Sequence, residues 1–198
     1  VAILDWHFPH GNGTQDIFWN DPSVLYLSVH QYPYYPGSGA GTETGGAAAL
    51  GATINVGLPA GSRDADYAAV FDHVFLPALE RFAPDLILVS AGFDAFERDP
   101  LAGMRVTLAG FAAMARRVRY AAERWAGGRV VAVLEGGYDL DGVGGGMRVT
   151  LDALREPAPD AVPAAALPAE GTLARAAIDG TLRAQAAAGS AIPEAPSP

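Results

Sequence analysis

Apolar residues occur in short runs along the first 156 residues, and Gly, Pro, Asn or Asp bound most of these runs. Such runs are typical of buried β-strands, which we predict at 1–4, 24–30, 52–56, 85–90 and 129–134. Helical spacing between them predicts helices at 13–19, 64–82, 107–125 and 143–155, with Asp64 and Thr107 as N-caps of the second and third. Alternating strands and helices indicate an α/β fold whose parallel sheet is covered on both faces.

Two stretches depart from this alternation. Residues 31–51 form a long predicted loop rich in Gly, Tyr and Pro, and loops of this length are uncommon in compact domains unless they are functional. Residues 156–168 are rich in Pro and Ala and indicate a linker, 170–188 predict one more helix, and the last ten residues are expected to be disordered. We therefore predict a domain over 1–156 and a linker, helix and tail over 157–198.

Composition excludes several classes of function. The chain has 198 residues, a formal net charge of −9 and no cysteine. The absence of cysteine rules out a disulfide framework and a thiolate zinc site. The negative charge disfavours a nucleic-acid surface and carries little weight as an argument for cationic substrates. No signal peptide or long apolar span occurs, so we expect a cytoplasmic protein without membrane contact.

Candidate chemistry lies where the predicted strands end. Asp5 and His7 follow the first strand, Asp94 follows the fourth, and Tyr138 follows the fifth. Ligands of open α/β sheets bind just beyond the carboxyl ends of the strands. We therefore expect Asp5, Asp94 and Tyr138 to converge at one edge of the sheet. Side chains alternate along an extended strand, so positions 5, 7 and 9 share one face and position 10 lies on the other.

Four segments together resemble one family. They are D-W-H-F-P-H-G-N-G-T-Q at 5–15, Y-P-Y-Y-P-G-S-G at 32–39, S-A-G-F-D-A at 90–95 followed by D-P-L, and L-E-G-G-Y at 134–138. In type, order and spacing they resemble the zinc-dependent deacetylases, namely histone deacetylases and acetylpolyamine amidohydrolases, whose first pattern reads D-x-D-x-H-H-G-N-G-T-Q. The resemblance covers about 1–156 and corresponds to the later part of the family's catalytic domain. It implies the arginase–deacetylase fold, a three-layer α/β sandwich, in N-terminally truncated form.

The resemblance implies a role for each matching residue. Asp94 would be a zinc ligand, and Tyr138 would stabilise the oxyanion that forms on the substrate carbonyl. Gly136 and Gly137 would let their loop bring the tyrosine hydroxyl over the metal, and Tyr35 would wall the acyl-lysine tunnel. Simpler readings stay open: a turn aspartate bonding its own backbone, a packing tyrosine at 138 and a loop aromatic at 35.

The first segment departs from the family pattern at two positions. His7 stands where the family has a zinc-binding aspartate, and imidazole also binds zinc. Pro9 stands where the family has a zinc-binding histidine and offers no side-chain ligand. Asp5 and Ser28 match a monovalent cation site, potassium in type, although Ser28 could equally be a strand-end hydroxyl that bonds a neighbour. His10 is expected to support or pack rather than bind metal.

Two functions follow from the resemblance. The first is a zinc-dependent amidohydrolase that removes acetyl groups from acetyl-lysine or acetylated polyamine, impaired here because Pro9 replaces a ligand and the family's His-His general base lies upstream of this segment. The second is a non-catalytic relic or binding module that keeps the fold without hydrolysis. Arginase-type chemistry ranks below both, since paired metal aspartates are not apparent. Oligomerisation is left open.

Overall fold

A computed structural model describes residues 1–189 of the chain. Five parallel strands form one sheet in the order β3-β2-β1-β4-β5. Their bounds are β1 Ala2–Asp5, β2 Leu25–Gln31, β3 Thr53–Leu58, β4 Ile87–Ala91 and β5 Val130–Leu134. Each predicted strand is confirmed, with ends shifted by at most two residues. The α/β class and the parallel sheet predicted from the apolar runs are therefore correct.

The helices lie where the apolar spacing placed them. They are α1 Asn12–Phe18, α2 Asp64–Val70, a π-helical turn Phe71–Phe75, α3 Leu76–Phe82, α4 Leu108–Trp125, α5 Leu140–Arg155 and α6 Leu173–Ala187. Thr107 caps α4 as predicted, because its hydroxyl oxygen accepts the Gly110 amide at 3.2 Å. Within residues 1–189, none of the helices is both long and apolar enough to cross a membrane.

The prediction that Asp64 caps α2 is wrong by one position. Arg63 is the N-cap, and its amide donates to the Asp66 carboxylate at 2.8 Å. The Asp64 carboxylate instead accepts the amide and the hydroxyl of Thr107, at 2.8 and 2.6 Å. Asp64 thus joins the starts of α2 and α4, a contact between elements far apart in sequence that no local pattern indicates.

The two faces of the sheet differ in character. Leu4, Leu27, Ile54 and Val89 lie in the main hydrophobic core, where they pack with side chains of α2 to α5. The opposite face carries a small cluster of Ile3, Val24 and Tyr26 with the partly buried Phe18 of α1, and its other buried side chains include several polar ones. The apolar runs therefore reflect one largely apolar face and one mixed face.

The predicted linker has no helix or strand, but it is attached to the domain. His73 donates from Nε2 to the Ala165 carbonyl at 2.8 Å, and the Ala165 amide donates to Asp72 at 2.7 Å. Asp72 also pairs with Arg117 of α4 at 2.8 Å, and both side chains are largely buried. The division at residue 156 stays a prediction, and of the ten residues expected to be disordered, 190–198 lie outside the described residues.

The two edges of the sheet are covered differently. At the β3 edge, α6 lies along the strand, and Thr181 Oγ1 and Gln185 Nε2 donate to the carbonyls of Asn55 and Thr53 at 2.7 and 2.8 Å. At the other edge, the side chains of β5 are uncovered, and Val133 is 51% exposed. Full coverage of both faces, expected for a parallel sheet, does not extend to β5.

Replacing Thr181 with Val tests the contribution of α6 to the β3 edge. The change keeps the shape of the side chain but leaves the Asn55 carbonyl without its donor, so we expect a loss of about 1–3 kcal/mol in the free energy of unfolding. Urea denaturation measures it. The control is Thr42→Val at an exposed position, expected to change stability by less than about 0.5 kcal/mol. Equal effects of the two substitutions would contradict the role of α6.

The uncovered β5 predicts self-association of the chain. Exposed apolar strands at a sheet edge pair with other copies, and a lysine on such a strand opposes pairing. We expect the average mass in sedimentation equilibrium to rise across the μM to mM range, and Val133→Lys to suppress that rise several-fold. Ile17→Lys, on the outer surface of α1, is the control. A wild-type chain that stays monomeric throughout would refute the prediction.

Candidate functional site

A row of polar residues crosses one face of the sheet near the carboxyl ends of its strands. Asn55, Ser28, Asp5 and Ser90 are register partners on β3, β2, β1 and β4. Residues in register on parallel strands point to the same face, so these four side chains form a continuous row. The first three are almost fully buried. Buried polar groups require hydrogen-bond partners, and the residues that supply them surround the candidate site.

Asp5 holds His7 in place. One Asp5 oxygen accepts the His7 amide at 3.1 Å and contacts His7 Nδ1 at 2.6 Å, while the other accepts the Tyr26 hydroxyl at 3.1 Å. Burial lowers the pKa of His7, but the Asp5 hydrogen bond and the charges of Asp5, Asp94 and Glu135 outweigh it and raise that pKa above its ordinary value. The remaining ring nitrogen, Nε2, is the atom that could bind a metal, as in carboxylate–histidine–metal arrangements.

Asp94 lies beside His7 at the end of β4 and is 1% exposed. One of its oxygens accepts the Phe8 amide at 2.6 Å. Burial raises the pKa of Asp94, although the Phe8 amide and the charge of His7 act against that increase. A buried carboxylate whose ionised form is penalised in this way is typical of functional sites. The Asp94 bond runs to the β1 loop, so the simpler reading of a turn aspartate bonding only its own backbone is incomplete.

The loop after β5 closes over Asp94. The Gly136 backbone approaches an Asp94 oxygen so closely that any side chain at position 136 would overlap it. Gly137 adopts a φ of 140°, which other residues rarely adopt. The structure thus brings His7, Asp94 and Gly136 together. Tyr138 follows directly, and its side chain is 61% exposed, so it is not a packing tyrosine.

Asp99 anchors the Tyr138 loop, a role that sequence reasoning did not assign. Its carboxylate accepts the Tyr138 amide at 2.8 Å through one oxygen and the Leu101 amide at 2.9 Å through the other. Arg98 adds ion pairs to Asp139 and Asp141. The only sequence signal for Asp99 was its place in the D-P-L segment at 99–101. That segment did not indicate that Asp99 would bind the backbone of Tyr138, 39 positions later.

The donors present do not complete a hydrolytic zinc site. Asp94 and His7 offer two side-chain ligands, and Pro9 offers none, whereas hydrolytic zinc sites use three. Across residues 1–189, no cluster of three or more His, Cys, Asp or Glu side chains is arranged to hold a metal ion. The residues therefore do not fit the three-ligand zinc centre that the resemblance implies.

The residues assigned to a monovalent cation lie next to each other. Asp5 and Ser28 are register partners, but the Ser28 hydroxyl is 2.9 Å from His30 Nδ1, and both Asp5 oxygens have protein donors. His30 Nε2 donates to the Gly39 carbonyl at 2.9 Å, and burial lowers the pKa of His30 to about 3. The observed bond from Ser28 to His30 therefore matches the alternative interpretation, in which the Ser28 hydroxyl bonds a neighbouring side chain.

The tunnel aromatic assigned from the sequence is free of packing. Tyr35 is 76% exposed, so the reading of a loop aromatic packed on the domain does not hold. Its neighbour Tyr34 packs on Phe8 with ring centroids 4.5 Å apart and donates its hydroxyl to the Leu101 carbonyl. Tyr34 thus links the loop after β1 to the Asp99 loop, and nothing in the sequence distinguished it from Tyr35.

Comparison with known proteins defines the family. The histone deacetylase domain matches residues 1–154, and the chain belongs to that family. A probable deacetylase of Archaeoglobus fulgidus is 46% identical over 142 residues, covering 72% of this chain and 40% of the relative. Histone deacetylase 10, chloroplastic, of Oryza sativa subsp. japonica is 46% identical over 158 residues, covering 79% and 36%.

Solved structures agree with the fold. The histone deacetylase Clr3 superposes with a TM-score of 0.82 at 35% identity, over 94% of this chain and 31% of that one. The HDA15 HD domain gives a TM-score of 0.78 at 33% identity, over 96% and 53%. The arginase–deacetylase fold expected from the resemblance is confirmed. The chain spans about two fifths of the length of the curated relatives described above.

Removing the Asp99 carboxylate tests its role in holding the Tyr138 loop. Asp99→Ala leaves the backbone amides of Tyr138, Leu101 and Ala102 without their charged acceptor. We expect it to lower the free energy of unfolding by about 2–3 kcal/mol, measured by urea denaturation. Asp99→Asn keeps one acceptor oxygen and should cost less. The exposed Asp160→Ala is the matched control, and an Asp99→Ala protein as stable as this control would refute the anchoring role.

Proposed function

We propose that this chain forms part of the site of a deacetylase, an amidohydrolase that removes acetyl groups from acetyl-lysine or an acetylated polyamine. One observation carries the proposal: the buried Asp94 and the half-buried His7 and Gly136 meet at the carboxyl edge of a parallel sheet in a histone deacetylase domain. That edge is where α/β folds bind ligands. A cytoplasmic location and the acyl substrate belong to the same proposal.

The chain's own residues have separate tasks in this proposal. Tyr138, by its likeness to the family tyrosine, donates its hydroxyl to the acetyl carbonyl oxygen as negative charge develops there. Asp99 holds the Tyr138 backbone, and Gly136 leaves room for the loop above Asp94. Tyr35 extends from the 31–51 loop as a wall for the methylene stem of an acyl-lysine. A potassium ion beside Asp5 and Ser28 is a further proposal from the family likeness.

Zinc binding in this chain is proposed to be weak. Asp94 and His7 Nε2 are the two side-chain donors, and the raised pKa of His7 means that a proton competes for the ring. The chain contains no adjacent histidine pair to serve as general base. Hydrolysis by this segment alone is therefore expected to be impaired.

A second function has its own support. Pro9 and the lack, within residues 1–189, of a three-ligand cluster favour a module that binds acetylated amines without hydrolysing them. Both functions require the same fold and the same cleft. Metal content separates them, because the amidohydrolase requires a loaded site and the binding module does not.

Restoring the family residues at positions 7 and 9 tests the assignment of the metal site. The double variant His7→Asp/Pro9→His regains a carboxylate and an imidazole, and its zinc affinity should rise at least about 100-fold, because loss of even an outer-shell partner costs 10–100-fold. Metal analysis after dialysis against zinc measures it. Acetate release from acetyl-lysine should stay undetectable in both proteins, because the general base is still missing.

Two further results decide the outcome. Adding Asp94→Asn to the double variant should remove the gained zinc, which separates binding at this site from binding elsewhere. Tight one-to-one zinc in the unmodified chain, together with acetate release, would show that positions 7 and 9 have been misread and that the site is intact.

A further inference from the structure

Glu43 folds the 31–51 loop back on itself. Its carboxylate accepts the Gly39 amide at 3.0 Å and the Ala40 amide at 3.1 Å, and it also accepts Gln15 Nε2 at 2.6 Å. Burial alone raises the pKa of Glu43, but these hydrogen bonds outweigh it and lower that pKa below its ordinary value. Glu43 is therefore ionised at neutral pH and can act only as an acceptor.

An acceptor at Glu43 determines how the Gln15 amide is oriented. The Gln15 NH₂ group must face the carboxylate, so Gln15 Oε1 faces the other way. There it accepts Asn55 Nδ2 at 2.7 Å and lies 3.1 Å from His10 Nε2. Gln15, His10 and Asn55 are all nearly fully buried, so water does not offer a competing arrangement.

The orientation of Gln15 in turn selects the tautomer of His10. An amide oxygen 3.1 Å from a ring nitrogen requires a proton on that nitrogen, so His10 Nε2 carries the hydrogen. Burial lowers the pKa of His10, so the ring is neutral and Nδ1 is a bare acceptor. Ser38 Oγ, 2.9 Å from Nδ1, must therefore donate. The reverse tautomer would place two lone pairs against each other at Gln15.

We propose that Glu43 is a positioning residue that, through Gln15, fixes His10 as the Nε2–H tautomer and makes Ser38 a hydrogen-bond donor to it. The chain of contacts joins the segment after β1 to the loop that carries Tyr35. This proposal rests on the proposed function only where it treats the 31–51 loop as the wall of the acyl-lysine site. The geometry itself depends on neither metal nor substrate.

Neutralising Glu43 should reverse the direction of every hydrogen bond from Glu43 through Gln15 and His10 to Ser38. In Glu43→Gln, the new NH₂ group faces Gln15, whose amide turns so that its own NH₂ group faces His10. Asn55 must turn as well, so that its Oδ1, which has no hydrogen-bond partner among the described residues, accepts the Gln15 NH₂ group. That turn gives up the bond from Asn55 Nδ2 to the Glu43 backbone carbonyl at 3.2 Å. His10 then becomes the Nδ1–H tautomer and donates to Ser38.

Ring ¹⁵N NMR of the four histidines measures the tautomer directly. The wild-type chain should show a protonated Nε2 and a bare Nδ1 at His10, and Glu43→Gln should interchange the two. His73 is an internal reference, since its partner is the Ala165 carbonyl. Glu80→Gln, at an exposed position, is the matched control and should leave His10 unchanged.

Ser38→Ala tests the direction of the effect, because Ser38 is the last residue in the series of hydrogen bonds that begins at Glu43. It should leave Nε2 protonated while the Nδ1 resonance shifts, because the hydroxyl donor is gone. A His10 that keeps its tautomer in a folded Glu43→Gln, or that switches tautomer in Ser38→Ala, overturns the proposal. These readouts need no turnover, so failure of the deacetylase proposal would leave them unaffected.

Discussion

The burial of a polar row on one face of the parallel sheet is the constraint on which the rest of the structure depends. Asn55, Ser28 and Asp5 cannot reach bulk water, so each needs a protein partner. Those partners are Gln15 of α1 and the Glu43 carbonyl of the 31–51 loop for Asn55, His30 of β2 for Ser28, and His7 just after β1 for Asp5. The 31–51 loop carries groups that satisfy this face, since the Glu43 carbonyl accepts Asn55 Nδ2 and the Gly39 carbonyl accepts His30 Nε2.

The same constraint shapes the candidate site. Asp5 is fully engaged in holding His7 and Tyr26, which orients the imidazole but leaves Asp5 unavailable for other tasks. Asp94 is buried with the Phe8 amide as its hydrogen-bond donor, and burial raises its pKa against the opposing effects of that amide and of His7. A buried carboxylate of this kind is costly to folding, and such costs are tolerated where function requires them. Pro9 is the position at which this arrangement falls short of a three-ligand site.

The two edges of the sheet differ in how they are finished. The β3 edge is covered by α6, whose Thr181 and Gln185 replace the missing neighbouring strand as donors. Within residues 1–189, the β5 edge has no such cover, although Asp94, Gly136 and Tyr138 all lie on loops at that side. The solved relatives contain far more chain than this segment does, with 31% and 53% of their lengths matched.

The sequence alone determined the elements and the family. Apolar runs and helical spacing are local, so they predicted the ends of the five strands to within two residues and those of the helices to within three. The motifs around Asp94 and Tyr138 indicated a histone deacetylase domain. Tertiary structure decided the rest. The bonds from Asp99 to Tyr138 and from Asp64 to Thr107 join residues about forty positions apart. The orientation of His10 depends on Glu43 through a buried amide, and the exposure of β5 depends on what packs against it. Contacts of this kind arise only when the chain is folded, because burial and register, rather than neighbours in sequence, choose the partners.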